Sequence, residues 1–502
     1  MATIITMGLW VLVAAALATC SYRWLRVAQR EHYATGRMSA IMLIWFRARP
    51  LNVALGIAAL TLLIAGLFAW PATIAGLVVA VAFPWNLAIH PKENRLVVTG
   101  RVKRLVVVAT VLLVVACALC FKPVVAAILV PFTFLIIDLA LLITGPIERA
   151  AANKYVVQAK RKLDDIGAEV VAITGSYGKT STKNYAAQII STTRPTVASP
   201  ASFNNLLGLS STVNNHLHRG TEVFVAEMGT YGPGEIRRLC EIFRPRIAAI
   251  ITIGDAHLER MKNRDTIVRA KSEIVENVET AVLNIDVPEL ADLAQVSTAR
   301  VIGVSVESPE AEVYVDERNG RWIVHHRSAE IASVEAPPAG HPINLAVAVG
   351  LALAAGVPAE RIGPTLTHLP KAPHRAEAIT DATGRVVIDD TYNANPVGAA
   401  AALRSASTLA AGNQVWTISP GMIELGPDQR VRNEEFARAA TATDNDHLVV
   451  VGYTNRAALR AGADPGRVEF VESRRAATSF VTKRAQPGDV ILYENDLPSH
   501  YP

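Results

Sequence analysis

The chain has 502 residues, 51% hydrophobic and 19% charged, with a mean hydropathy of +0.28 and a formal net charge of +5. This much apolar side chain excludes a disordered chain, and the positive mean hydropathy argues against an ordinary soluble enzyme. Cys20, Cys117, Cys120 and Cys240 are too few for a disulfide scaffold and fit a reducing compartment.

Long apolar runs are concentrated before residue 150. Stretches 3–22, 51–70, 73–89, 105–121 and 124–144 are nearly free of charge, and a membrane-crossing helix needs about 20 such residues. Basic residues follow the first run (Arg23, Arg26, Arg30, Arg37, Arg47, Arg49) and the third (Lys92, Arg95, Arg101, Lys103, Arg104). The loop near Trp70 has none, and the loop after the fourth run has only Lys122. Positive loops stay in the cytoplasm. The pattern predicts five transmembrane helices over 1–147, the N-terminus outside and the rest of the chain in the cytoplasm. The expected protein is a multi-pass protein of the cytoplasmic membrane. The first run has no basic segment before it, so it does not read as a cleaved signal. The basic excess is then a topology signal, with membrane lipid and not nucleic acid as partner. The middles of the clear spans read as free of ionisable residues, which favours an anchor or a platform for a lipid-linked substrate over a transport path. Cys117-x-x-Cys120 has zinc-ligand spacing but lies in an apolar run without a second pair, so it reads as part of a buried helix.

Residues 148–167 are charged with helical spacing and read as a linker helix. Beyond them, short β-rich runs alternate with helical patterns: 170–173, 222–226, 247–253, 281–284, 301–304, 386–389, 415–418, 448–451 and 490–493. Such alternation predicts mostly parallel sheets. Segment 311–335 reads as antiparallel strands turning at Asn319-Gly320, and 342–355 as an alanine-rich helix. Thr367–Pro373, with two prolines, marks a boundary. The expected fold is an α-helical membrane region followed by α/β: a P-loop central domain over 168–370 and a Rossmann-like C-terminal domain over 371–502, hinged near 370–374.

The strand at 170–173 runs into TGSYGKTST (174–182) and then a helical pattern. Gly175 and Gly178 let backbone amides turn toward phosphate oxygens, with Ser176 between them. Lys179 can reach the β- and γ-phosphates, and the Thr180 and Ser181 hydroxyls stand behind it. Ile173 occupies the place of the first glycine in the strict Walker spacing, so a chance glycine turn remains the alternative. Glu227 and His257 each stand just past a buried apolar run, where ligands collect in parallel sheets, and Mg²⁺ favours such oxygen ligands. Alone, Glu227 would read as a cap or salt-bridge partner and His257 as a hydrogen-bonded loop residue.

The segments TGSYGKTSTKN (174–184), SFNNLLGL (202–209), VAEMGTYGPGEI (225–236), TIGDAHLERM (252–261), RAKSEI (269–274), GHPINLAVA (340–348), PHRAEAI (373–379), DDTYNANP (389–396) and GMIELG (421–426) resemble, in order, the Mur ligase family, most closely its MurF branch. The resemblance implies an ATP-dependent ligase that phosphorylates a substrate carboxylate and lets an amine displace the phosphate. It implies that Lys179 holds the β- and γ-phosphates, that Thr180 and Glu227 hold one Mg²⁺, and that His257 helps hold a second. Lys271 matches a lysine that is carbamylated in many members; without the family it would read as a surface lysine paired with Glu273 or Glu276. Asn344 matches an adenine contact, and Arg375 and Asp390 match positions that close over ATP. Tyr392, Asn393 and Asn395 match the loop facing the incoming amine, and Asn204 and Asn205 lie near the acceptor carboxylate. As bare sequence these asparagines read as turn formers.

Two departures limit the substrate assignment. Apolar runs replace the UDP-sugar-binding domain with which MurF enzymes begin. The last strand runs into Glu494-Asn495-Asp496 instead of a lysine-containing glycine/serine loop. The expected acceptor is a carboxylate that is lipid-linked or UDP-linked, and the amine an amino acid or dipeptide. An acidic tail could favour an extra ammonium on that amine. The competing readings are an anchored MurF acting on UDP-muramoyl tripeptide and a catalytically dead ligase fold used as a membrane scaffold.

Overall fold

The computed structural model describes residues 2–89, 95–254, 261–337, 340–366, 370, 377–391, 395–497 and 500–502. Lys92, His257, His374, Arg375, Tyr392 and Asn393 lie outside the described residues, as does all of Thr367–Pro373 except Pro370. The chain divides into two compact units. The first comprises Met1–Ala151, Gly452–Asn455 and Leu497–Pro502; the second comprises Ala152–Val451 and Arg456–Asp496.

The first unit is helical: α1 (Ala2–Arg30), α2 (Arg37–Ala48), α3 (Pro50–Ala65), α4 (Trp70–Ala82), α5 (Gly100–Cys120), α6 (Pro123–Ala126) and the part of α7 (Thr133–Ile166) up to Ala151. Among the described residues, by length and composition three stretches could cross a bilayer: Thr3–Arg30, Gly100–Cys120 and Pro123–Ile166. The pair α2 and α3, bent by 113°, makes a fourth if counted as one span. The runs at 51–70 and 73–89 form helices of only 16 and 13 residues. Prolines at the start of each, and Pro84 after the second, set these limits, because proline suits a first helical turn and breaks an interior. The two helices lie close together, and a Cβ at Gly76 would fall 2.8 Å from the Leu63 side chain.

Asp138 corrects the expectation of charge-free spans, since it lies inside the run 124–144. Its carboxylate accepts from the amides of Gly36 (3.0 Å) and Ser39 (2.9 Å) and from the Ser39 hydroxyl (2.6 Å), so it caps the start of α2. Arg23 is also buried, donating to the carbonyls of Phe83 and Val81 at 2.6 Å each. Such pairing is what makes a buried guanidinium tolerable. The last residues of the chain pack in this unit too. His500 Nε2 lies 2.7 Å from Glu31 Oε1, the Trp45 indole donates to the His500 carbonyl (2.9 Å), and Arg37 donates to the Tyr501 hydroxyl (3.0 Å).

The second unit holds two sheets. The nine-stranded sheet has the order β2-β3-β1-β4-β5-β6-β7-β8-β9. Its strands are β1 (Glu169–Thr174), β2 (Thr196–Ala198), β3 (Val223–Glu227), β4 (Ile247–Ile250), β5 (Thr280–Asn284), β6 (Arg300–Ser305), β7 (Val313–Arg318), β8 (Arg321–His326) and β9 (Ala329–Glu335). It is parallel up to β7, and β7-β8-β9 is an antiparallel meander. Asn319 and Gly320 turn the first hairpin with φ of 52° and 70°, the left-handed pair expected of that dipeptide. Valines and isoleucines of the central strands pack on both faces, one against α8 (Lys179–Ser191) and the helix Pro342–Ala354, the other against α9 (Leu206–His216) and α10 (Glu235–Phe243). The near-continuous apolar strands follow from this double coverage.

The six-stranded sheet has the order β10-β11-β15-β12-β13-β14, from β10 (Glu377–Thr380), β11 (Val386–Asp390), β12 (Val415–Ser419), β13 (Asp446–Val451), β14 (Val468–Val471) and β15 (Val490–Glu494). Only β10 is antiparallel to its neighbour. The last strand inserts between β11 and β12 and so lies inside the sheet. The short strands β2, β10 and β14 carried no clear run in the sequence.

Candidate active site

The site is built at the carboxyl ends of β1, β3 and β4, three neighbours in the larger sheet. β1 ends at Thr174, and the chain turns through Gly175–Gly178 into α8. Gly178 is the N-cap of α8 with φ +80° and supplies no side-chain cap. A Cβ there would be strained by that φ and would collide with the Asn344 amide. The turn is tied to the segment after β4: the Ser176 amide donates to the Thr252 carbonyl (2.9 Å), the Tyr177 amide to the Thr252 hydroxyl (3.0 Å), and the Gly254 amide to the Ser176 hydroxyl (2.9 Å). The result is a fixed glycine loop opening onto a helix N-terminus, which suits an anion.

Four side chains converge beside that loop. The Thr180 hydroxyl donates to Glu227 Oε2 at 2.9 Å, and Asn204 Nδ2 donates to Glu227 Oε1 at 3.1 Å. Lys183 Nζ lies 3.6 Å from Glu227 Oε2. Lys179 Nζ folds back on its own loop, donating to the Gly175 carbonyl at 2.7 Å. Glu227 is 1% exposed. Lys271 is 4% exposed, and burial, followed by the charge of nearby Lys179, pushes its amine well below the ordinary lysine range. The reading of Lys271 as a surface lysine paired with Glu273 or Glu276 does not match this placement. Glu273 instead accepts from the amides of Gly234 (2.6 Å) and Arg237 (3.0 Å) at the start of α10, and Glu276 pairs with the Arg237 guanidinium. Lys183 was not singled out from the sequence. Its position four residues after Lys179, one helical turn along α8, was the available signal.

The remaining candidates divide. Asn344 meets the glycine loop from the first turn of the helix Pro342–Ala354. Asn205 caps α9, accepting from the Gly208 amide at 2.9 Å, and Asn395 caps the helix Pro396–Ala410, accepting from the Gly398 amide at 2.8 Å. Both therefore serve as helix starters, the role their residue type favours. Ser181 follows Thr180 in the first turn of α8. Asp390 ends β11, and its carbonyl accepts from the Asn495 amide at 3.0 Å.

Residues 173–352 match the Mur ligase middle domain and residues 374–493 the Mur ligase glutamate ligase domain. A UDP-N-acetylmuramoyl-tripeptide–D-alanyl-D-alanine ligase of Mycobacterium leprae is 31% identical over 388 residues, covering 70% of this chain and 75% of its own. The chain belongs to the Mur ligase family. As a Mur ligase it is an ATP-dependent, C–N bond-forming enzyme of the MurF-like branch. The relative of the same name from Mycobacterium tuberculosis is 32% identical over 382 residues, covering 70% of this chain and 74% of its own. Among solved structures, MurF from Acinetobacter baumannii has a TM-score of 0.61 at 27% identity, covering 69% of this Mur ligase and 77% of that chain. The MurF ligase of Thermotoga maritima in complex with ADP shares the fold, with a TM-score of 0.60 at 22% identity and 69% and 80% coverage. The match to the Mur ligase middle domain begins at residue 173, after the helical unit.

The site's residues fit ATP and Mg²⁺. The glycine cradle leaves no room for a Cβ at Gly178. Lys179 and Lys183 bring positive charge to a polyphosphate, and the Thr180 hydroxyl and Glu227 carboxylate are the hard oxygen donors that Mg²⁺ takes.

Proposed function

We propose that this Mur ligase is anchored in the cytoplasmic membrane by its N-terminal helices and joins a carboxylate to an amine on the cytoplasmic side. The observation that carries the chemistry is the cluster of Lys179, Thr180, Glu227 and Lys271 around a fixed glycine loop. In this reading Gly175–Ser181 is a P-loop. Lys179 swings from its loop carbonyl onto the β- and γ-phosphates, Thr180 and Glu227 hold Mg²⁺, and Asn344 lies on the adenine side. Mg²⁺ held there would supply charge neutralisation for transfer of the γ-phosphoryl to the acceptor carboxylate. Lys271, whose amine burial shifts toward the neutral form, is suited to carry a carbamate, which with His257 would hold a second Mg²⁺. Phosphorylation of the carboxylate breaks the β–γ bridge and gives an acyl phosphate and ADP. The amine then forms the C–N bond as the C–O bond to phosphate breaks. Arg375 and Asp390 close the Rossmann-like C-terminal domain over ATP, and Asn204, Tyr392 and Asn393 face the two substrates.

The acceptor we favour is a lipid-linked carboxylate in cell-envelope biosynthesis, because apolar helices precede the segments matched in the family. The amine is an amino acid or dipeptide. A second reading, D-alanyl-D-alanine addition to UDP-muramoyl tripeptide, is favoured by the names of the relatives. Phosphate release by the full chain in lipid nanodiscs separates them. With Mg-ATP, bicarbonate and D-alanyl-D-alanine, release that requires a membrane lipid extract supports the first reading, and release that requires UDP-muramoyl tripeptide supports the second. Silence with every acceptor, equal to that of Lys179→Ala, would leave a scaffold.

A further inference from the structure

The smaller sheet carries a second concentration of charge, of opposite sign to the first. β15 ends at Glu494, directly in register with Asp390 at the end of β11. Residues in register on parallel strands project from the same face. That face is the one on which Ile388, Val490 and Leu492 pack against the helix Pro396–Ala410. Glu494 is 1% exposed, and among the described residues neither of its carboxylate oxygens meets a hydrogen-bond donor. Its charged neighbour is the Asp390 carboxylate, a contact that becomes a hydrogen bond only when one of the two carries a proton. Burial first, and then Asp390, push Glu494 well above the usual carboxylate range. The other acidic residue of the tail is different: Asp496 is half exposed and pairs with Arg474 at 2.8 Å.

A buried carboxylate without donors costs stability and is retained where something else uses it. Its place is informative. β15 inserts between β11 and β12 as a central strand, and open parallel sheets bind ligands beyond the carboxyl ends of their strands. The reactants of an ATP-dependent C–N ligase are a polyphosphate, a carboxylate and an amine. The first two are anions, and lysines of the larger sheet suit them. Only the amine arrives as an organic cation. Mg²⁺ demands near-octahedral oxygen ligation and keeps several waters, for which a dry pair of carboxylates is poorly suited.

We propose that Glu494, backed by Asp390, is the recognition site for an ammonium group of the amine substrate, and thus a specificity-determining residue of this ligase. The proposal rests on the ligase reading above. Ammonium binding supplies donors to Glu494 and favours its ionised form, against the burial that pushes it above the usual carboxylate range.

Two measurements on the full chain in nanodiscs test it, the first without turnover. In thermal melts without substrates, Glu494→Gln melts at or above the wild-type temperature, because a buried carboxyl without donors is replaced by a neutral amide that can donate to Asp390. A clear fall would make Glu494 a structural residue and overturn the proposal. Calorimetry then titrates D-alanyl-D-alanine and L-lysine into protein loaded with a non-hydrolysable ATP analogue and Mg²⁺, in buffers of different ionisation enthalpy. Wild type is expected to release protons on binding, and Glu494→Gln to bind about 10- to 100-fold more weakly with no release. Asp496→Asn should match wild type. Equal affinity and proton release in wild type and Glu494→Gln would overturn the proposal, as would amine-independent uptake of Mg²⁺ at Glu494. If no amine supports phosphate release by wild type, the ligase reading itself fails, which the melt does not depend on.

Discussion

The Thr180 hydroxyl donates to the Glu227 carboxylate at 2.9 Å, joining the first turn of α8 to the end of β3. Asn204 holds the other carboxylate oxygen, so the two hard oxygen donors are fixed before any ligand arrives. Preorganised donors cost no rearrangement during reaction. Thr180→Val is therefore expected to lower ATP-dependent phosphate release by about 100-fold or more while leaving the melting temperature nearly unchanged. Retained turnover would remove Thr180 from the metal site.

Gly178 sets the glycine loop. Its φ of +80° and the Asn344 amide opposite leave no place for a side chain. Gly178→Ala should cost about 1–2 kcal/mol in backbone strain alone and more from the displaced Asn344. Binding of a fluorescent ATP analogue should weaken sharply. Unaltered nucleotide binding would show that the loop tolerates a different path.

Lys271 should make activity depend on bicarbonate. A carbamate forms when a neutral amine attacks CO₂ and loses a proton, and the lowered pKa of Lys271 keeps that amine neutral at lower pH than free lysine. As pH falls the amine protonates and the carbamate is lost, so the rate should drop on the acid side. CO₂-stripped buffer should slow wild type and bicarbonate restore it, while Lys271→Arg stays inactive in both. A rate indifferent to bicarbonate would leave Lys271 as an unmodified buried amine.

Glu31 and His500 tie the chain's last residues into the helical unit. Although burial opposes it, hydrogen bonds from His500 and Arg37 hold the Glu31 carboxyl down at about 2. A depressed carboxyl contributes stability above its unfolded value, and that contribution fades as pH falls from the ordinary carboxylate range toward about 2. His500→Ala should lower the melting temperature at neutral pH, and the gap from wild type should narrow below about pH 4. A constant gap would place the effect in packing of the imidazole ring.

Membrane anchoring predicts that the full chain sediments with membranes after alkaline extraction. A reporter fused before Met1 should be active outside the cytoplasm, and residues beyond 168 should be cleaved only from the cytoplasmic face. Release into the supernatant at high pH would count against insertion.

The α/β order was legible in the sequence because buried parallel strands are continuous apolar runs, and nine such runs lie where strands form. The glycine loop was legible because glycine, lysine and threonine spacing is local. Three residues long, β2 gave no comparable signal. Asn205 and Asn395 were legible as turn formers, and only their hydrogen bonds show that each caps a helix.

The sequence by itself determined the family, the ligase chemistry and the separation of an apolar N-terminal region from an α/β remainder, because these reside in local pattern and residue identity. Tertiary structure alone decided that Lys271 is buried beside Lys179, that Asp138 caps a helix a hundred residues earlier in the chain, and that Glu494 faces Asp390 while Asp496 is neutralised by Arg474. Each depends on burial and on partners distant in sequence. A carboxylate's or an amine's behaviour is set by the water and charges removed from around it, which chain order does not record.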